Sequence, residues 1–130
     1  TLSGSRCIDM KHILLVDDVS TNLKCEEHIL HDRYKVTMVK SGEDALRYLE
    51  EQTPDLILLD IYLRKMNGYE VMEHMQKSPH LSKIPVILLT AAEQEEEERS
   101  IASGAVDLIR KPFDPQMLLN RIEAVWKREA

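Results

Sequence analysis

The segment LILLD, residues 56–60, places four consecutive apolar residues directly before an aspartate. Comparable apolar runs occur at HILLV (12–16), KVTMV (35–39), PVILL (85–89) and VDLI (106–109). Short runs of this kind, with little polar alternation, are typical of strands that are buried on both faces, as in a parallel sheet. The sequence therefore predicts five buried strands, and LILL (56–59) is one of them.

Longer stretches between these runs repeat their apolar residues at helical spacing. In 43–51, for example, one face carries Ala45 and Leu49 while the other face is charged, and Ser41 is placed to cap the helix. Similar stripes occur in 69–77 and 115–127, and Gly104 is expected to end a helix that begins in the acidic segment 93–98. Alternating strands and helices predict an α/β fold, a doubly wound five-stranded parallel sheet flanked by five helices.

Length and composition limit the classes of protein to consider. The 130 residues suffice for one domain, and 43% hydrophobic with 31% charged residues is a globular composition. A net charge of −6 argues against direct binding to nucleic acid or to an anionic membrane, and no apolar run is long enough to span a bilayer. Cys7 and Cys25 show neither CxxC nor metal-ligand spacing, which favours free thiols in a cytoplasmic protein. Residues 1–10 lack the apolar centre of a signal peptide and are interpreted as a leader or a cloning remnant, with the domain at 11–128.

Polar side chains follow all five predicted strands, but Lys40 and Ser41, which follow the second run, are expected at the periphery of the sheet. The first run is followed by Asp17 and Asp18, the third by Asp60, the fourth by Thr90 and the fifth by Lys111. In a parallel sheet these positions meet at one edge, and ligands bind where the strand order reverses. Each residue alone has an ordinary role, such as a turn or a helix cap. Their joint placement predicts a functional site.

The residue types at this edge suit phosphoryl chemistry. Crowded carboxylates raise one another's pKa unless a cation is present, and an all-oxygen cluster suits Mg²⁺, which takes few protein ligands. Lys111 is a point charge suited to an anion, and Thr90 can donate one hydrogen bond. Together these groups would stabilise charge spread over phosphoryl oxygens. Asp60 is then the candidate nucleophile, because an aspartate can form an acyl phosphate.

At these residues the sequence resembles the receiver domain of bacterial two-component response regulators, which is CheY-like. The matching segments are ILLVDD (13–18), SGEDAL (41–46), PDLILLDIYLRKMNGYEV (54–71), IPVILLTA (84–91) and GAVDLIRKPF (104–113). The resemblance implies a flavodoxin-like sheet with strand order 2-1-3-4-5. It also implies a phosphoprotein of a phosphorelay, a signalling module whose own catalysis is at most self-dephosphorylation.

The resemblance also implies a role for each site residue. Asp60 corresponds to the phospho-acceptor, and Asp18 to the direct Mg²⁺ ligand, with Asp17 assisting through water. Tyr62 would give its backbone carbonyl to the metal. Thr90 and Lys111 correspond to the pair that contacts the phosphoryl group, and the Lys111–Pro112 bond is expected to be cis.

Partners follow from the same resemblance. A sensor histidine kinase or a phosphotransfer protein would supply the phosphoryl group, and an output domain, fused or separate, would read it. The face around the fourth and fifth helices is expected to change on phosphorylation. Asp107 and Arg121 lie where one branch of the family forms salt bridges between subunits, which predicts a weak, phosphorylation-dependent homodimer. No direct contact with nucleic acid or membrane is expected.

The sequence departs from the family pattern at two places. Leu63 and Arg64 follow the acceptor strand where Met and Pro are common, and Leu108 replaces the usual Tyr or Phe. Burying a leucine gains only about 1–2 kcal/mol, whereas a nearly complete population shift needs about 5.5 kcal/mol. We therefore expect Thr90 and the loop at 91–95, rather than Leu108, to carry most of the coupling between phosphorylation and the change in conformation.

Three alternatives are weighed against this interpretation. A flavodoxin-type flavin carrier needs a phosphate-binding loop after the first strand, where this chain has two acids. An aspartyl-phosphate phosphatase needs an acid two residues after its nucleophile, where this chain has Tyr62. A degenerate receiver that acts only as a docking module is the third, and the presence of Asp60, Asp18 and Lys111 argues against it.

Overall fold

The computed structural model describes residues 10–91 and 96–129 of the chain. Most of the predicted leader, residues 1–9, and most of the predicted coupling loop, residues 92–95, lie outside these described residues. Strands and helices alternate, as predicted, in the order β1 (His12–Val16), α1 (Ser20–Leu30), β2 (Lys35–Val39), α2 (Gly42–Glu51), β3 (Leu56–Asp60), α3 (Gly68–Gln76), β4 (Val86–Thr90), α4 (Glu96–Ala102), β5 (Asp107–Arg110) and α5 (Pro115–Glu129). A short 3₁₀ helix, Leu81–Lys83, precedes β4.

All five strands are parallel and lie in the order β2-β1-β3-β4-β5, which confirms the predicted fold class and strand order. The chain moves outward in opposite directions from the β1–β3 pair, so this pair is the topological switch point. Val16 lies beside Leu59, Asp60 beside Leu89 and Thr90 beside Arg110. The carboxyl ends of the strands are therefore level with one another at the switch point.

The sheet is covered on both faces, as its nearly unbroken apolar strands require. Every residue of β3 and of β4 is buried. Side chains of one face, including Leu14 and Leu59, pack with α2 and α3. Side chains of the other face, including Leu15 and Leu58, pack with α1 and α5. In the described part of the chain, no helix has the length and apolar character needed to cross a membrane.

Helix ends follow the sequence signals closely. The Ser41 hydroxyl accepts a hydrogen bond from the Asp44 backbone N–H at 2.9 Å and so caps α2. Asn67 and Glu70 form a reciprocal capping box at the start of α3. Gly104 follows α4 with a φ of 99°, a backbone conformation that favours glycine, which confirms its predicted role.

Strand β4 begins at Val86 and β5 at Asp107, each one residue later than the corresponding apolar run. Pro85 has no N–H to give to a strand ladder, although its carbonyl accepts from Ile57. The shift places Thr90 inside the end of β4 and Lys111 directly after β5.

Candidate functional site

The end of the sheet brings together residues that are far apart in the sequence. Asp17 follows β1, Asp60 ends β3 and Lys111 follows β5. The Lys111 ammonium donates to Asp17 Oδ2 and to Asp60 Oδ2, at 3.0 Å in each case. These three predicted site residues therefore form one hydrogen-bonded cluster at the switch point. The Lys111–Pro112 peptide bond is cis, which confirms that prediction.

Asp17 is completely buried and held from several directions. Its Oδ1 accepts from the Val19 backbone N–H at 2.9 Å, and its Oδ2 accepts from the Asn22 side-chain amide at 3.2 Å as well as from Lys111. These contacts place Asp17 at the start of α1. Its carboxylate is thus both a helix-start anchor and a partner for the lysine.

Asp60 is held at the tip of β3 with little freedom. Its Oδ1 accepts from the Tyr62 backbone N–H at 3.0 Å, and Oδ2 accepts from Lys111. Burial raises the pKa of Asp60 above its ordinary value, and the bond from Lys111 offsets only part of this rise. Burial works to lower the pKa of Lys111, but the Asp60 and Asp17 carboxylates outweigh burial and raise it. The lysine is therefore held as a cation between two acids.

Gly68 allows the loop after β3 to return close to Asp60. A Cβ at Gly68 would lie 2.7 Å from the Asp60 carbonyl oxygen and 2.8 Å from the Ile61 Cα. Both are backbone atoms, so the crowding could not be relieved by moving a side chain. A glycine here keeps the loop between β3 and α3 tight against the end of β3.

Asp18, the predicted direct metal ligand, pairs with Arg64. Its Oδ2 accepts from the Arg64 backbone N–H at 3.1 Å and from the Arg64 Nε at 3.3 Å. Arg64 was not among the predicted site residues, although the sequence shows it at a position where the family commonly has proline. The Asp18 side chain is 15% exposed and that of Arg64 is 85% exposed, so this pair lies at the rim of the site.

Among residues 10–91 and 96–129, no three or more His, Cys, Asp and Glu side chains are grouped as a ready-made metal site. The predicted ligands nevertheless have the right chemistry for Mg²⁺, because Asp18, Asp60 and the Tyr62 carbonyl are all hard oxygen donors. Lys111 and Arg64 at present neutralise the two carboxylates.

Thr90 and Leu108 are close to the site but differ in their surroundings. Thr90 is fully buried at the end of β4, and its carbonyl accepts from the Lys111 backbone N–H at 2.7 Å. Leu108 pairs with Leu88 across the ladder and packs, half-buried, against the side of the core that holds α2 and α3. Thr90 is thus connected to the site through the backbone of Lys111.

Glu26 is a residue near the site that the sequence interpretation missed. It lies on α1 and is only 3% exposed, and burial raises its pKa to about 7. Lys111 lowers this pKa, whereas Asp17 and Asp60 raise it further. Its spacing from Leu23 and Leu30 places it on the buried stripe of the helix, which was the available signal. Glu26, Lys111 and Phe113 line an open cavity of about 460 Å³ beside the site.

Asp107 and Arg121, the predicted intersubunit pair, contact each other within the chain. Arg121 donates to Asp107 Oδ1 at 2.6 Å. The pair lies on the face that β5 and α5 share, next to the exposed apolar side chains of Ile101 and Val106, which line one cavity with it. An intersubunit bridge through these residues would require the internal pair to open.

Comparison with known proteins gives one consistent family. The family model described as the response regulator receiver domain matches residues 13–123. A Vibrio cholerae protein named as a probable cyclic di-GMP phosphodiesterase is 38% identical over 111 residues, covering 85% of this chain and 25% of that protein. The Staphylococcus aureus response regulator SaeR is 35% identical over 121 residues, covering 92% of this chain and 52% of SaeR. The chain thus spans between a quarter and about half of the length of these relatives.

Solved structures agree with this result. The signal receiver domain of a signal transduction histidine kinase from Syntrophus aciditrophicus is 34% identical, with a TM-score of 0.81 and 88% coverage of each chain. A CheY-like response regulator receiver domain protein from Methanospirillum hungatei is 29% identical, with a TM-score of 0.83, and the match covers 92% of this chain and 96% of that one. Both likenesses extend over nearly the whole chain.

Proposed function

The chain belongs to the response regulator receiver domain family, and from this premise we propose that it is a phosphorylatable module in which Asp60 accepts a phosphoryl group from a histidine kinase. One observation supports this most strongly. Asp60, at the end of the central strand, shares the ammonium of Lys111 with Asp17 at the topological switch point. A rigid carboxylate next to a positive point charge suits the transfer of an anionic group.

The proposed transfer is a nucleophilic substitution at phosphorus. A carboxylate oxygen of Asp60 attacks the phosphorus of a phosphohistidine, the P–N bond breaks, and its electron pair leaves with the imidazole nitrogen. The product is an acyl phosphate on Asp60. The Tyr62 N–H, at 3.0 Å from Oδ1, orients the carboxylate, and Lys111 is placed to pair with a phosphoryl oxygen. Thr90 would donate to another phosphoryl oxygen.

We propose that Asp18, Asp60 and the Tyr62 carbonyl hold one Mg²⁺, with Asp17 assisting through water. Mg²⁺ needs only one or two protein carboxylates and keeps several waters, so a larger preformed cluster is not required. Bound there, Mg²⁺ would neutralise charge on the transferring phosphoryl group.

We further propose that residues 11–128 form the working domain and that a kinase or a phosphotransfer protein is its donor. The curated relatives are two to four times as long as the matched region, which supports a fused or separate output domain. Enzymatic activity of the kind named for the Vibrio cholerae relative would then lie outside the receiver. The net charge of −6 supports a domain with no direct contact to nucleic acid or membrane.

The test is phosphorylation with a small acyl phosphate in the presence of Mg²⁺, followed by intact-protein mass spectrometry. The wild-type chain should gain one phosphoryl group, and the matched Asp60→Asn variant should gain none. A label that persists in Asp60→Asn would place the acceptor elsewhere. A chain that gains no label from either an acyl phosphate or a phosphorylated histidine donor would instead be the docking-only receiver.

A further inference from the structure

The loop between β3 and α3 is folded so that Arg64 meets Asp18. The Ile61 carbonyl accepts from the Leu63 N–H at 3.1 Å and from the Gly68 N–H at 2.8 Å, which closes the loop on itself. Lys65, the residue after Arg64, has a φ of 64°, in the left-handed region that residues other than glycine seldom adopt. The backbone N–H and the Nε of Arg64 are both directed at one oxygen of Asp18.

The three acids of the site are neutralised by two different cations. Lys111, which is largely buried, pairs with Asp17 and Asp60. Arg64, which is largely exposed, pairs with Asp18. Asp18 is therefore the site carboxylate whose charge is balanced by a residue of the loop. Its Oδ2 already accepts from the Arg64 guanidinium, so a metal ion at that oxygen would compete with the arginine.

We propose that Arg64 acts as a tethered cation that competes with Mg²⁺ for the Asp18 carboxylate and so weakens the metal affinity of the site. This inference rests on the proposed function, because it assumes that Asp18 is a ligand of the metal. When Mg²⁺ binds, the Nε contact opens, while the backbone N–H of Arg64 can continue to donate to Asp18. Arg64 is thus a positioning residue for the metal site.

The expected effect is modest because Arg64 is largely exposed. A pair between an 85% exposed guanidinium and a 15% exposed carboxylate is screened by water, and exposed ion pairs contribute about 0–1 kcal/mol. Because 1 kcal/mol corresponds to about a fivefold change, removing Arg64 should lower the Mg²⁺ dissociation constant by no more than about fivefold. The competition should also weaken at high salt.

Lys65 provides a matched control. It is the next residue of the same loop, has the same charge, and lines the same open cavity of about 720 Å³ as Arg64 and Asp18. The two contacts to the Asp18 carboxylate come from Arg64. A general change of charge near the site would therefore appear in both variants, whereas direct competition would appear only when Arg64 is changed.

The experiment is calorimetric titration of Mg²⁺ into the unphosphorylated wild type, Arg64→Gln and Lys65→Gln at low ionic strength. We expect the dissociation constant of Arg64→Gln to be about two- to fivefold lower than that of the wild type, and that of Lys65→Gln to change by less than half as much. If the wild type binds Mg²⁺ and Arg64→Gln binds it with equal or weaker affinity, or if both variants gain equally, the role of Arg64 is wrong and the proposed function stands. If the wild type binds no Mg²⁺, the metal assignment and the role of Arg64 both fail.

Discussion

The site has two halves that neutralise acids in the same way but in different surroundings. In the buried half, Lys111 joins Asp17 and Asp60, with side-chain exposures of 19%, 0% and 11%. In the rim half, Arg64 pairs with Asp18, and the arginine side chain is almost fully in water. Charges interact strongly where water is excluded and weakly where it is not. The buried half therefore holds Asp60 rigid, while the rim half leaves the Asp18 carboxylate free to exchange its partner.

The largest expected effect comes from removing the cation of the buried half. Lys111→Met should destabilise the protein by roughly 3 kcal/mol at neutral pH, because it leaves buried carboxylates without their shared partner. Equilibrium urea unfolding without Mg²⁺ measures this loss. The loss should be smaller in an Asp60→Asn background, because one of the acids is then already neutral. Equal losses in the two backgrounds would show that Lys111 stabilises the fold in another way.

Glu26 extends the buried half and gives it a pH dependence. Burial raises the pKa of Glu26 to about 7, so between its ordinary pKa and 7 the folded protein holds a proton that the unfolded chain releases. Stability from this group is fully present below the ordinary glutamate pKa and is lost as the pH rises through 7. Glu26→Gln should therefore be more stable than the wild type at pH 8, by on the order of 2 kcal/mol, with little difference at pH 4.5.

Unfolding free energies of Glu26→Gln and the wild type from pH 4.5 to 8 measure this difference. Glu27→Gln is the matched control, because Glu27 is the next residue of α1 and is only partly buried. If the difference in unfolding free energy between the wild type and Glu26→Gln does not change with pH, Glu26 does not titrate in this range.

Asp17, Asp60, Lys111 and Asp18 could be predicted from the sequence, whereas the pairing of Asp18 with Arg64 could not. Parallel strands place their carboxyl ends at one edge of the sheet. The residues that end or follow the apolar runs, which include Asp17, Asp60 and Lys111, are therefore expected to meet there. Arg64 depends on the detailed path of a loop, including the left-handed conformation of Lys65, and no periodic pattern reports such a path. Glu26 was detectable from its spacing on α1, since a polar residue at a stripe position is buried with its neighbours.

Thr90 and Leu108, the two candidates for transmitting the phosphorylation signal, also differ in burial, because Thr90 is fully buried and Leu108 is half-buried. Leu108→Ala should cost about 1 kcal/mol, because its side chain is only partly buried, and should leave the response to phosphorylation largely intact. Thr90→Ala should abolish most of the response, because it removes the buried hydroxyl that we propose donates to a phosphoryl oxygen. The measurement is the change in amide hydrogen exchange on adding a phosphoryl mimic. Equal damage by the two variants would make Leu108 the switch.

The smallest expected effect belongs to Asp107 and Arg121, a pair more exposed than the Lys111 cluster. The side chains are 17% and 43% exposed, so Arg121→Gln should cost no more than about 1 kcal/mol, and the cost should shrink at high salt. Because the two residues already pair at 2.6 Å within one chain, a bridge to a second copy only exchanges one partner for another. Such an exchange gains little free energy, which predicts a weak homodimer that forms only when a phosphoryl mimic repositions this face. Sedimentation velocity should show monomer without the mimic, partial dimer with it, and monomer throughout for Arg121→Gln. Monomer alone in the wild type under both conditions would remove the dimer, and a dimer that Arg121→Gln retains would place the contact on other residues of the face.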